Sequence, residues 1–151
     1  MHPKSGHKIE KERIESVKRS VDLVADLLGD FPARVELVHV LRSREGAIPA
    51  CHPLYAPTGF VQARKKEIEP AFEKARMSLS KAGLPSRRIR SETISGVRSR
   101  AEAIAEKATR EKFGVIVLGR KGLTRAEEFF IGRVANKLVQ MATHPTIWIV
   151  P

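Results

Sequence analysis

Three short runs, two of them rich in β-branched residues, constrain the fold of this 151-residue chain more than any other feature. They are VELVHVL at 35–41, VIVLG at 115–119 and TIWIV at 146–150. The unbroken apolar character of VIVLG marks a strand covered on both faces, and VELVHVL is short enough to be another. Segments of helical period run between and around them. Ile14, Val17, Val21, Val24 and Leu28 recur at steps of three and four, one apolar stripe from Arg13 to Leu28 that Gly29 ends. Val61, Ile68, Phe72, Ala75, Leu79 and Ala82 form a second stripe that holds its phase across Pro70. That predicts one kinked helix closed by Gly83 and Pro85. Parallel strands need a crossover and a helix supplies it, so this alternation predicts an open, mostly parallel α/β sheet of about four strands flanked by helices.

The remaining elements are read from weaker signals. RIRSETI at 88–94 alternates Ile89, Ser91 and Thr93 with charged neighbours, which suits a sheet edge. Ser99 and Glu102 form an S-x-x-E capping box opening a helix with Ala101, Ile104, Ala105 and Ala108 inward, ending near Phe113 and Gly114. A last helix is predicted from about Gly132 to Ala142. Residues 43–60, with three prolines and two glycines, read as a long surface loop. The count is four strands and four helices, beginning with a helix, in a single domain spanning 1–151 without internal repeats.

Composition narrows the function classes. With 42% hydrophobic and 30% charged residues the chain is globular rather than disordered. Its apolar runs fall far short of the ~20 residues that span a bilayer, and MHPKSGHK lacks the apolar core of a signal peptide, so a cytoplasmic protein is expected. A lone cysteine, Cys51, agrees with a reducing compartment. The net charge of +11 favours anionic partners, and in residues 84–100 five arginines face one glutamate. One Trp and one Tyr make no stacking platform, so nucleic acid is not the expected partner. The five histidines lack metal-ligand spacing, and Cys51 beside His52 has no third group to activate it.

The stretch GRKGLTRAEEFFIGR, 119–133, carries the functional signal. It leaves the carboxyl end of a buried strand and runs into a helix, a position where free backbone N–H groups and the helix dipole favour an anion. Gly119, Gly122 and Gly132 would let the backbone approach a ligand without a Cβ in the way.

The spacing Gly119-x2-Gly122-x9-Gly132 resembles the nucleotide-binding signature of the universal stress protein family. SVDLVADLLG resembles that family's first helix, VELVHVL its second strand, FGVIVLGRKG its fourth and HPTIWIVP its fifth. The resemblance implies an open α/β sheet and a homodimer paired through the last strand, Thr146, Ile147, Trp148, Ile149 and Val150. It also implies an ATP site, with Mg carried only by the nucleotide. It sets Val40 against adenine, Leu118 and Gly119 beside the ribose, Lys121 and Gly122 near ribose and phosphates, and Gly132, Arg133, Val134 and Ala135 under the phosphates.

Two departures bear on that site. Arg133 stands where the family has Ser or Thr; it either pairs with phosphate as a charged fork or fills the space. The family's first strand, central and ending in an Asp beside adenine, has no counterpart. MHPKSGHKIEKE cannot make a doubly buried strand, and KIEKERIE extends the first helix instead. Either the second and fourth strands close up, or a partner segment fills the gap, or the natural start lies upstream, the simplest of the three. The expected function is a universal stress protein-like stress-response protein with a degenerate ATP loop. The alternative is a nucleotide-independent homodimer whose basic surface binds an acidic partner. No carboxylate or histidine can be argued beside the loop as a base, so binding is expected rather than catalysis.

Overall fold

A computed structural model describes residues 4–28, 31–42, 57–119 and 132–151. The elements run α1 (Lys4–Leu28), β1 (Val35–Arg42), α2 (Pro57–Lys81), β2 (Ile89–Val97), α3 (Arg100–Arg110), β3 (Val115–Gly119), α4 (Arg133–Met141) and β4 (Thr146–Val150). One 3-10 turn, Ser86–Arg88, leads into β2. The four strands and four helices match the sequence reading in number and order among the described residues.

α1 reaches back to Lys4, as the helix-forming KIEKERIE requires. A 25-residue helix is about 37 Å long, whereas strands of five to eight residues span roughly 17–26 Å, so part of α1 overhangs the sheet. Val17, expected on the buried stripe, is accordingly 57% exposed, while Val24 and Ala25 lie in the core.

α2 starts at Pro57, four residues ahead of the boundary expected at Val61, because proline at a helix start forfeits no hydrogen bond. Pro70 lies inside that one helix, as the continuous stripe predicts. β2 runs three residues past its expected end. Gly96 adopts φ 75°, a left-handed backbone that absorbs the register shift between the pairs Val40↔Ile94 and Arg42↔Val97.

At the start of α3, Ser99 Oγ accepts from the Glu102 N–H at 3.3 Å, which is half of a capping box. The Glu102 carboxylate turns instead to Lys137 of α4, 2.6 Å away. Ala101 and Ala108 are buried as expected. Ala103 and Lys107 are buried too, which the apolar stripe did not predict.

All strand pairing is parallel, β1 with β2 and β3 with β4, but it forms two separate ribbons. Among the described residues no ladder joins β1 to β3. The expected single sheet of about four strands is therefore split, and the second and fourth strands of the family pattern have not closed up. Residues 4–28, ahead of β1, are helical and supply no strand between the ribbons.

Arg34 establishes that β1 and β3 start at the same end. Its guanidinium donates to the Glu111 carbonyl at 2.9 Å and lies 4.4 Å from the centre of the Phe113 ring, joining the residue before β1 to the approach to β3.

Helices cover both faces. On one, Val24, Ala25, Leu79, Leu84 and Ile89 form a cluster against which Val35 and Leu37 of β1 and Val117 of β3 all pack. On the other, Ala101, Ala108, Ile116 and Leu138 pack with Leu118, Val134 and Ile147. Burying a leucine such as Leu79 or Leu138 contributes about 2 kcal/mol. None of the helices searched is long and apolar enough to cross a membrane.

Candidate functional site

The carboxyl ends of β1 and β3 and the amino ends of α3 and α4 lie on one side of the molecule, because each helix leads back to the start of the next strand. Ligands of open α/β sheets collect on that side.

Gly132 caps α4 in an extended conformation, φ −55° and ψ 153°, and its carbonyl accepts from the Asn136 N–H at 2.9 Å. No side chain caps this helix. The first-turn amides, those of Arg133, Val134 and Ala135, are thus available to an external acceptor. The dihedrals of Gly132 suit any residue, so its backbone conformation does not itself require glycine.

Ala135 is buried and Val134 packs into the core beside Leu138, so these two can offer a ligand only their backbone. Arg133 is exposed at the helix start. Its side chain does not fill buried space, and a positive fork is available there.

On the β1 side, Val40 is 7% exposed, an apolar wall at the strand end. Its carbonyl accepts from Arg100 Nε at 3.3 Å. Sequence reading placed Arg100 in a basic cluster but did not connect it to Val40, since the two are brought together only by the crossover through α2 and β2. Leu118 and Gly119 end β3 opposite Ile149 and Val150 of β4. Lys121 and Gly122 lie outside the described residues, as do Cys51 and His52.

Lys137 ties the two helix starts together. It donates to Ser99 Oγ at 3.0 Å and to the Glu102 carboxylate, which holds the Glu102 acid below its usual range. The amino ends of α3 and α4 are fixed relative to each other, and Arg100 and Arg133 add charge of the sign that attracts phosphate.

A second polar cluster lies at the opposite end of the strands. Lys107 of α3 is surrounded by Glu36 of β1 at 2.9 Å, Glu111 at 2.6 Å and Glu92 of β2. Burial alone would lower the Lys107 ammonium, but hydrogen bonds to Glu111, Glu92 and Glu36 outweigh it and raise the group above its ordinary value. Lys107 in turn holds the Glu111 carboxyl low. The three carboxylates are close enough together to suit a cation, and the lysine ammonium already fills that role.

With this geometry in view, comparisons with known proteins agree in one direction. The sequence model of the universal stress protein family matches residues 14–150. Universal stress protein YxiE of Bacillus subtilis is 23% identical over 132 residues, covering 85% of this chain and 87% of that protein. The solved structure of a universal stress protein family member from Burkholderia pseudomallei superposes with a TM-score of 0.65 at 20% identity, covering 91% of this chain and 88% of that one. That of hypothetical protein MJ0577 gives 0.62 at 19% identity, covering 90% and 88%.

Proposed function

Because this chain belongs to the universal stress protein family, we propose that it is a stress-response protein that binds an adenine nucleotide, ATP carrying its own Mg2+, across the carboxyl edge of the split sheet. The observation that carries this reading is the amino end of α4, where Gly132 supplies no side chain and the first amides lack a side-chain cap. Phosphate oxygens would accept from the amides of Arg133, Val134 and Ala135, with the exposed Arg133 guanidinium as a charged fork in place of a hydroxyl. Arg100, drawn to the Val40 carbonyl, adds positive charge on the facing wall. Val40 and Leu118 offer apolar surface to the base and ribose.

The described residues favour binding over turnover. Glu102, the carboxylate at the start of α3, is held by Lys137 and so is not poised to activate water. The reading extends to assembly: the outer edge of β4 pairs with β4 of a second copy, Trp148 lying within that strand. A cytoplasmic location accords with the absence of a membrane-crossing helix among the described residues.

Isothermal titration with ATP and Mg2+ at low and high salt tests the nucleotide reading. Saturable binding that persists at about 0.5 M salt, where the Debye length is only a few ångströms, supports a formed pocket. Heat that disappears at that salt indicates loose charge attraction to a basic protein and refutes the proposal.

A further inference from the structure

Arg100 is the first residue of α3 and is exposed, yet its guanidinium turns back to the end of β1, where Nε donates to the Val40 carbonyl at 3.3 Å. The bond is long and its acceptor neutral, so it is weak. Among the described residues Arg100 has no carboxylate partner, because Glu102, two positions along α3, is taken by Lys137 at 2.6 Å. The same lysine, one turn inside α4, donates at 3.0 Å to the hydroxyl of Ser99, the residue just before Arg100. The backbone of Arg100 is therefore fixed beside the first amides of α4. Its side chain is held by one weak bond.

Resting on the nucleotide reading above, we infer that Arg100 is a specificity-determining residue that couples recognition of the base to the presence of phosphate. With no phosphate at hand the guanidinium occupies the Val40 carbonyl, and a base brought to that strand end finds its acceptor taken. A polyphosphate on the α4 amides offers charged oxygens instead, and a hydrogen bond to a charged acceptor is roughly twice as strong as one to a neutral carbonyl. Arg100 exchanges one acceptor for the other. Val40 is buried, so its carbonyl, once released, favours a ligand that donates to it. Adenine donates through its exocyclic amine. Hypoxanthine, with a keto oxygen at that position, does not, and a site whose polar group is left unpaired rejects such an analogue. Amine and phosphate are thus read together, and adenosine alone meets a blocked acceptor.

The test titrates the full chain and two variants, Arg100→Ala and Arg100→Lys, with ATP, inosine triphosphate and adenosine, following amide NMR shifts, which resolve weak binding. The unmodified protein should take ATP about tenfold more tightly than inosine triphosphate. Arg100→Ala should move two ligands in opposite directions: adenosine gains roughly threefold because the carbonyl is freed, and ATP loses roughly tenfold because a phosphate partner is gone. Arg100→Lys, which keeps the charge, should recover part of the ATP affinity. A disturbance of the fold would weaken both ligands alike, so parallel weakening of ATP and adenosine overturns the inference. Adenosine affinity unchanged by Arg100→Ala overturns it too, as does equal affinity of the unmodified protein for ATP and inosine triphosphate. Those outcomes leave nucleotide binding itself standing. Failure of the unmodified protein to bind ATP is the separate result that refutes the nucleotide reading and takes this inference with it.

Discussion

Lys107 Nζ stands 2.9 Å from Glu36 Oε1, and the two side chains are 5% and 8% exposed, so a buried ion pair fastens α3 to β1. Burying charge is costly, and such a pair persists because each ion compensates the other.

Removing the cation strands Glu36. Lys107→Met should therefore destabilise the protein by about 3–5 kcal/mol, lowering Tm by roughly 10 °C for a domain of this size. Urea unfolding monitored by circular dichroism measures it. Glu36→Gln should cost less, since Lys107 keeps Glu92 and Glu111; equal losses from both variants would contradict the arrangement.

The same cluster sets a pH dependence with a definite sign. Lys107 is raised in the folded state, so its contribution is fully present below the unfolded lysine value of 10.5 and is lost as pH rises through the higher folded value. Glu111 is lowered, so its contribution is present above 4.5 and is lost as pH falls through the lower folded value. Stability should be flat from about pH 5 to about pH 10 where these groups are concerned, and fall on both sides. Lys107→Met should remove most of the alkaline limb in a pH series of denaturant midpoints.

Gly132→Val tests the phosphate end of the proposed nucleotide site. Its φ of −55° and ψ of 153° admit valine, so the fold should survive while the new methyls block approach to the α4 amides. ATP affinity should drop at least tenfold by calorimetry. Arg133→Ala should lower it several-fold and flatten its salt dependence, as expected of an exposed guanidinium. Unchanged titration curves for both variants would remove this helix end from consideration.

The proposed pairing of β4 edges predicts that Trp148→Lys yields a single-chain species by sedimentation where the unmodified protein sediments as two. A charge on an edge strand opposes strand addition. Identical sedimentation of the two proteins, with intact circular dichroism, would exclude β4 as the contact.

Much of this fold is legible in the residues. VIVLG and TIWIV mark β3 and β4 to the residue because a five-residue apolar run between turns has few alternatives, and the stripe through Pro70 marks α2 as one helix. Local pattern misled where tertiary geometry intervened. Val17 follows the apolar period yet overhangs its support, and β2 continues beyond the 88–94 run through a bulge at Gly96. Lys107 looks like a solvated helix residue, and only the approach of β1 and β2 surrounds it with carboxylates. The candidate site divides in the same way. That a helix starts at about Gly132 is legible in the sequence, whereas the contact of Arg100 with Val40 spans 60 residues and leaves no local trace.

Arg34 clasps the two ribbons at their amino ends, through the Glu111 carbonyl and the Phe113 ring. Lys137 does the same at the other rim, joining α4 to Ser99 and Glu102 at the start of α3. With a buckle at each end, the helix starts keep a set spacing before any ligand arrives, so a nucleotide held there would owe little to ordering the protein around it.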